Sequence, residues 1–317
     1  MSKIAYGYPV VDSTVASTSQ AAVDPSVSAS YLRSLGAPAG LASQYLKSSD
    51  DFPLRVWIVD NSGSMQTCDG KRVAHKSDGT PVSVTCSRWD ELGDSLDYHC
   101  GLAVNLGAPT MFCVLNPPGG GVPQTMWCGT GSPASETETV RRLRESSPTG
   151  RTPLCAAIRT AIHTIVERAP ALVAAGKRCV LVIASDGAAS DGDVAVALKP
   201  LQDLPVWVVV RLCTDDDDVV NYWQAIDEQL ELNLDVLDDN AGEAVEIKKF
   251  APWLNYAQPL HRLREWGSAD KLLDLLDEKK LSPAEVRKMI AFVLGGASLD
   301  LPDPQVRMVC RGDHWGG

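Results

Sequence analysis

Three short segments of the chain bring oxygen-bearing side chains together with turn residues. Asp-Asn-Ser-Gly-Ser at 60–64 follows an apolar run, Gly-Arg-Thr-Pro at 150–153 precedes a helical pattern, and Ser-Asp-Gly at 185–187 follows another apolar run. The two carboxylates and three hydroxyls that they supply belong to Asp60, Ser62, Ser64, Thr152 and Asp186. Such hard oxygen ligands suit Mg²⁺, or Mn²⁺ or Ca²⁺, with water filling the remaining positions, and they disfavour zinc and copper. The pattern predicts a divalent-cation site.

Each segment also has an ordinary structural explanation. Residues 60–64 form a good turn sequence, Thr152 before Pro153 is a common helix N-cap, and Asp186-Gly187 is a common way to end a strand. Taken singly, each structural explanation is stronger than the functional one. The presence of all three, each at the end of a predicted strand or the start of a predicted helix, favours a metal site.

The elements that must hold these side chains follow from hydrophobic patterning. Helical patterns alternate with six strand-like runs, at residues 54–59, 111–115, 125–128, 179–184, 206–210 and 234–237. The runs at 179–184 and 206–210 are uniformly apolar, as in parallel strands that are covered on both faces. This alternation predicts an α/β fold with a doubly wound, mostly parallel six-stranded sheet. Such sheets bind ligands at the carboxyl ends of their strands, where 60–64 and 185–187 lie.

The order of these polar residues resembles a known site. Asp-x-Ser-x-Ser at 60–64, then Thr152, then Asp186-Gly187, is similar to the metal-ion-dependent adhesion site (MIDAS) of von Willebrand factor A (vWA) domains. All five positions of the motif are present in order. The resemblance covers residues 54–250, about two thirds of the chain.

The resemblance implies a particular arrangement of the site and of the sheet. The three hydroxyls would ligate the metal directly or nearly so, and the two carboxylates would act mostly through water. An Asp or Glu carboxylate from a protein partner would then complete the metal shell. The family also implies one short antiparallel edge strand, which would be the run at 125–128.

The remaining segments predict additions to this domain. Residues 1–30 are rich in Ser, Ala, Thr and Val without periodicity, which predicts a disordered tail. Residues 31–53 predict an N-terminal strap packed on the domain at 54–250. Residues 251–317 predict a small helical appendage with a capping box at 282–285. The aromatic-rich start of this appendage predicts a docking seam, and it resembles the tail of uncharacterised vWA-domain proteins of protists and algae.

The segment at 66–87 departs from the family pattern, in which a helix begins soon after the Asp-x-Ser-x-Ser loop. Ser-Asp-Gly-Thr at 77–80 predicts a hairpin turn between strands at 73–75 and 82–84. A helix at 88–106 is predicted to follow. The hairpin would stand beside the metal, where it either shapes the choice of partner or is a passive insertion.

A second group of polar side chains is a candidate rim around the metal that contacts the partner. Its members are Asn61, Asp191, Asp193 and Asp215. The acids at 215–218 also have a simpler explanation. Thr214 would cap the following helix, and acidic side chains complement the dipole of a helix N-terminus.

Composition narrows the class of partner and compartment. A net charge of −11 disfavours nucleic acid and anionic membrane surfaces as partners. No apolar stretch is long enough to insert across a bilayer, and the first residues lack the apolar core of a secretory signal. The nine cysteines have no regular spacing, which favours a reducing compartment and a cytoplasmic location. A bridge between Cys68 and Cys86 stays open as an alternative.

Three classes of function are compatible with these features. The leading hypothesis is a metal-dependent protein–protein interaction module, without catalytic activity, that binds a partner carboxylate. The alternative is an accessory subunit of an AAA-type ATPase or of a metal-chelatase-like complex. A Mg²⁺-dependent phosphotransfer enzyme ranks last, because Asp60 is not accompanied by the second aspartate that haloacid-dehalogenase-like phosphatases use.

Overall fold

The structure is a computed structural model that describes residues 24–296 except 79, 215 and 231. Most of the predicted tail, the rim candidate Asp215 and residues 297–317 lie outside the described residues. Eight strands are described: β1 (Leu54–Val59), β2 (Gly70–His75), β3 (Pro81–Cys86), β4 (Thr110–Val114), β5 (Thr125–Cys128), β6 (Cys179–Ser185), β7 (Val206–Leu212) and β8 (Leu234–Leu237).

Six of these strands form one sheet in the order β5-β4-β1-β6-β7-β8. All neighbours in it are parallel except β4 and β5, which pair antiparallel. The mostly parallel six-stranded sheet and its short antiparallel edge strand were both predicted, and both are confirmed. Since β1 and β6 are neighbours near the centre, the loops that follow them open at the same edge of the sheet.

Helices cover both faces of this sheet. They are α1 (Pro25–Ser34), α2 (Ala39–Asp51), α3 (Arg88–Leu106), α4 (Pro133–Arg144), α5 (Leu154–Ala174), α6 (Val194–Leu198), α7 (Asp217–Gln229), α8 (Asn240–Phe250), α9 (Gln258–Glu265), α10 (Lys271–Glu278) and α11 (Pro283–Leu294). Alternate residues of β1 enter opposite cores. Trp57 and Val59 pack with α1–α4 and α8–α11, whereas Val56 and Ile58 pack with α5–α7. This alternation is what a doubly wound sheet requires.

Helix starts agree with the sequence in some places and differ in others. Ser87 caps α3 as expected for a helix at 88–106, and the predicted capping box of Ser282 and Glu285 is present in α11. The cap of α7 is Asp216 and not Thr214, because the Asp216 carboxylate accepts from the amide of Asp218. The hydroxyl of Thr214 instead accepts from the amide of Asp216 itself.

The first described helix begins inside the segment predicted to be a tail. Asp24 caps α1, Pro25 occupies its first turn, and Leu32 is fully buried. Residues 25–30 are therefore helical, because the apolar side of the next turn docks on the domain and orders the turn before it. The strap at 31–53 consists of parts of α1 and α2.

The hairpin of β2 and β3 is confirmed and stands apart from the main sheet. Its strands pair from Gly70 with Cys86 to His75 with Pro81. A Cβ at Gly70 would lie 2.9 Å from the carbonyl oxygen of Ser87, so only glycine allows the hairpin to approach α3 this closely. Cys68 and Cys86 are both free thiols in this structure.

The C-terminal helices belong to the core of the fold. Residues 260–266 are all buried, although most of them are polar or charged. The Arg55 guanidinium from β1 lies 3.7 Å from the Trp266 ring and donates to the carbonyl oxygens of Ser48, Phe52 and Trp266. The aromatic-rich seam predicted from the sequence is thus built around a buried cation.

A buried ionic network extends from this seam toward the hairpin. The Glu265 carboxylate contacts His99 Nε2 at 2.8 Å, Arg262 Nη1 at 2.8 Å and Arg211 Nε at 3.4 Å. Arg211 also pairs with Glu91. The second oxygen of Glu91 accepts from the backbone amide of Lys71 in β2 at 2.9 Å. These contacts therefore connect α9, β7 and α3 to the start of β2, which forms the base of the hairpin with the end of β3.

Across the described residues, none of the helices has the length and apolar character needed to cross a membrane.

Candidate functional site

Asp60 organises the loop that follows β1. It is fully buried, and Oδ1 accepts from the Ser62 amide at 2.8 Å while Oδ2 accepts from the Ser185 hydroxyl at 2.6 Å. Burial raises the pKa of the Asp60 carboxyl, and the hydrogen bonds from Ser185 and Ser62 oppose this effect. Oδ1 therefore orders the loop after β1 from within, and Oδ2 connects that loop to the end of β6.

A chain of hydrogen bonds connects three of the predicted ligands. The Ser62 and Ser64 hydroxyl oxygens are 3.0 Å apart, and the Ser64 hydroxyl donates to Asp186 Oδ1 at 2.9 Å. The loops from β1 and β6 thus bring these side chains together, as predicted from their places at strand ends. Ser62 and Asp186 are buried, whereas Ser64 between them is exposed, so the chain reaches the surface at Ser64.

The loop carrying Thr152 is attached to the same edge. The Gly63 amide donates to the Gly150 carbonyl at 3.1 Å, and the Thr149 amide donates to the Asn61 carbonyl at 2.8 Å. Gly150 has a φ of +88°, a left-handed conformation that favours glycine. Thr152 is half-buried two residues later, next to the start of α5.

An unpredicted cation lies at the end of this chain. Arg88, the first residue of α3, donates from Nη1 to Asp186 Oδ2 at 2.9 Å. Its Nε donates to Asp69 Oδ1 at 2.7 Å, and its Nη2 lies 2.5 Å from Asp69 Oδ2. The hydrogen bond with Asp69 raises the pKa of Arg88 above its usual value, and the same bond lowers the pKa of Asp69. No motif in the sequence marks Arg88, apart from its place directly after the cap of α3.

The rim candidates mostly have structural partners. Asn61 is buried. Its side-chain Nδ2 donates to the backbone carbonyl of Asn116, and its side-chain Oδ1 accepts from the backbone amide of Asn116. It therefore positions two loops and is not on the surface that was predicted. Asp191 accepts from the amides of Cys155 and Ala156 at the start of α5.

Asp193 is likewise a helix cap. It accepts from the amides of Ala195 and Val196 and begins α6. The exposed position of Asp191 and Asp193 leaves part of each carboxylate open to solvent. A contact of these two acids with a partner stays a prediction.

The donor set fits a hard divalent cation by its chemistry. Hydroxyl and carboxylate oxygens meet at one edge of the sheet, and the hydrogen-bonded pair of Ser62 and Ser64 is directed at Asp186. Among the described residues no group of three or more His, Cys, Asp or Glu side chains could hold a metal ion. A metal here would therefore depend on hydroxyl ligands, and it would have to share Asp186 with the Arg88 guanidinium.

Comparisons with known proteins find structural matches of low sequence identity. No protein-family model matches this chain, and a search of curated proteins finds no match. The chain is similar to the conserved hypothetical protein BatB from Bacteroides thetaiotaomicron, with a TM-score of 0.40 and 12% identity over 67% of this chain and 98% of that one. It is also similar to the manganese-loaded TRAP protein of Plasmodium vivax, with a TM-score of 0.34 and 15% identity over 61% of this chain and 71% of that one. At these TM-scores the fold class rests on the strand order and pairing described above, and not on the matches.

Proposed function

We propose that this chain is a vWA-type interaction module that binds a carboxylate of a protein partner through a divalent cation. The residues that would hold the cation are Asp60, Ser62, Ser64, Thr152 and Asp186. The observation that carries the proposal is the continuous contact from Ser62 through Ser64 to Asp186, which gathers oxygen ligands from two loops at the carboxyl edge of the sheet.

Each side chain has a distinct part in this proposal. Asp60 uses one oxygen to order its own loop and the other to contact Ser185 at the end of β6, so it supports the site from within. Ser62 and Ser64 offer neutral oxygens, and Asp186 offers a negative charge that Arg88 offsets in the present arrangement. Because few charges are contributed by the protein, a bound Mg²⁺ or Mn²⁺ would keep positive charge and attract an external carboxylate.

The same geometry favours binding over catalysis. A serine nucleophile needs a neighbouring base that accepts its proton. Ser64 donates to Asp186 Oδ1, but the other oxygen of that carboxylate accepts from the Arg88 guanidinium, so the carboxylate is already paired with a cation. We therefore propose a binding role without catalytic activity.

Calorimetric titration of Mg²⁺, Mn²⁺ and Ca²⁺ into the full chain tests the metal site. We expect saturable binding of one ion by the wild type and at least about tenfold weaker binding by Ser64→Ala and Thr152→Ala. Ser83→Ala, at an exposed serine of β3, is the matched control and should bind like the wild type. Equal affinity in all four proteins would place the metal elsewhere, and no binding by the wild type would contradict the proposal.

The partner chemistry needs a separate experiment. A random-peptide library panned on the chain in Mn²⁺ and eluted with a chelator should enrich peptides that carry Asp or Glu. Resynthesised peptides with Asn or Gln at that position should lose binding, since an amide oxygen lacks the negative charge. Peptides that bind equally well in the carboxylate and amide forms would refute carboxylate recognition.

A further inference from the structure

Arg88 divides its guanidinium between two carboxylates on different segments. Asp69 lies at the base of the hairpin and takes the Nε and Nη2 donors, whereas Asp186 takes Nη1. The side chains of Arg88 and Asp186 are 13% and 2% exposed, so this contact is largely shielded from solvent. Asp69, at 37%, remains in contact with water.

We propose that Arg88 is a built-in competitor for the cation site, which holds Asp186 when no metal is bound and releases it when a metal binds. This inference rests on the proposed metal site and concerns its regulation. Both oxygens of Asp186 are occupied, Oδ1 by the Ser64 hydroxyl and Oδ2 by the Arg88 guanidinium at 2.9 Å. A metal ion beside this buried carboxylate would be repelled by the guanidinium, so the two cations compete for Asp186.

In the metal-free chain, the contact with Arg88 stabilises the buried carboxylate of Asp186. An unpaired carboxylate at 2% exposure is costly, and Arg88 supplies the missing positive charge. Arginine stays protonated at every physiological pH. A change of pH within this range therefore does not remove the charge of Arg88, and the contact yields to another cation instead.

The contacts with Asp69 lower the free-energy cost of separating Arg88 from Asp186. When Nη1 leaves Asp186, the two contacts with Asp69 can persist, so the guanidinium keeps a partner and moves only a short way. Since Asp69 directly precedes β2, this exchange links the cation site to the base of the hairpin. Arg88 thereby sets the metal concentration at which the site fills.

The test compares Mn²⁺ binding by the wild-type chain and its Arg88→Met and Lys76→Met variants, measured by the EPR signal of free Mn²⁺. Methionine keeps the length of the stem and removes the charge. Lys76→Met removes the same charge from an exposed position between β2 and β3, and so controls for the change in net charge. We expect Arg88→Met to bind Mn²⁺ about tenfold more tightly than either of the other proteins.

Thermal unfolding provides a second measurement that does not depend on affinity alone. Without metal, Arg88→Met should unfold at a lower temperature than the wild type, because Asp186 loses its partner. With saturating Mn²⁺ its melting temperature should rise by more than that of the wild type, since tighter binding to the folded state stabilises it more. Arg88→Lys keeps the charge but not the forked donors, so its melting temperature and its stabilisation by Mn²⁺ should lie between those of the wild type and Arg88→Met. This variant replaces Arg88→Met in the test if the methionine variant does not fold.

The outcomes separate this inference from the proposed function. Mn²⁺ bound equally by wild type, Arg88→Met and Arg88→Lys overturns the inference and leaves the metal site intact. Weaker binding by the Arg88 variants also overturns it, because Arg88 would then support the site. If the wild type and all variants bind no Mn²⁺, the proposed function itself is wrong.

Discussion

At the scale of single residues, the five predicted ligands are not equivalent. Asp60 is buried and uses both oxygens for contacts with Ser62 and Ser185, whereas Ser64 is exposed and its only carboxylate contact in the described residues is with Asp186. Substituting Asp60 would therefore disturb the loops as well as a metal. Substituting Ser64 is the cleaner test of ligation.

Asp60→Ala should destabilise the metal-free chain by about 2–4 kcal/mol, because two buried donors lose their acceptor. Asp60→Asn keeps one oxygen acceptor and should cost about half as much. Urea unfolding in the presence of a chelator measures both values. Asp203→Ala, at an exposed aspartate, should change the free energy of unfolding by less than about 0.5 kcal/mol. A similarly small change for Asp60→Ala would mean that its hydrogen bonds do not hold the loops.

At the scale of elements, the hairpin has a base and a tip with different roles. The base carries Asp69, which pairs with Arg88, and Lys71, whose amide donates to Glu91. The tip, residues 74–82, is more exposed, and Lys76, Asp78 and Thr80 all face solvent. Removing the whole hairpin would therefore disturb the candidate site, whereas removing only the tip would not.

A shortened hairpin tests this division. Val73 and Ser83 are cross-strand partners, so replacing residues 74–82 with Asn-Gly should rebuild a two-residue turn between them. We expect a melting temperature within about 3 °C of the wild type, because the side chains described among residues 74–82 are half-buried or exposed and belong to neither core cluster. Mn²⁺ affinity should also be unchanged, since Asp69 and Arg88 are retained. Loss of peptide binding with unchanged Mn²⁺ affinity would assign partner selection to the tip, and lost Mn²⁺ binding would contradict the division.

At the scale of the whole molecule, buried ionic contacts join the C-terminal helices to the sheet. His99 lies between the rings of Trp57 and Trp266, at 4.6 and 5.7 Å, and contacts Glu265. Burial lowers the pKa of His99 to about 4, although its hydrogen bond to Glu265 opposes this effect. His261, buried on the same side, has its pKa lowered for the same reason.

These shifts predict a loss of stability in acid. The folded-state pKa of His99 lies below the value of about 6.5 for an unfolded chain, so the unfolded state takes up the proton first. The contribution of His99 to the free energy of unfolding is fully present above pH 6.5 and is lost as the pH falls toward 4. Between pH 7 and pH 4.5 the wild type should lose about 2–3 kcal/mol more than His99→Gln.

Urea unfolding of the two proteins at both pH values measures this difference. His163→Gln, at an exposed histidine of α5, is the matched control and should follow the wild type at both pH values. An equal loss of stability in His99→Gln and the wild type would show that His99 does not carry the acid response.

Local patterns in the sequence explain why much of the fold was predictable. The uniformly apolar β6 and β7 and the capping residues Ser87 and Ser282 all express preferences of neighbouring residues. The candidate ligands were found the same way, because strand ends in a parallel sheet converge on one edge. These features need no knowledge of distant contacts.

Other features depended on residues that are far apart in the chain. The charged sequence of α9 has the composition of a solvated helix, yet its charges are buried because Glu265 meets His99 and Arg211. Asp191 looked like a free rim acid, but it caps α5 from a distance of more than thirty residues. A single sequence carries no signal for such pairs.

The sequence by itself determined the alternating strands and helices and the oxygen-rich loops at their ends, because both follow from local periodicity and turn chemistry. Only the tertiary structure decided how the charge at the site is balanced. Arg88 and Asp186 are 98 residues apart, and they meet because α3 begins beside the loop that follows β6. The physical reason is that electrostatic partners are selected by distance in space, which the packing of the whole chain determines.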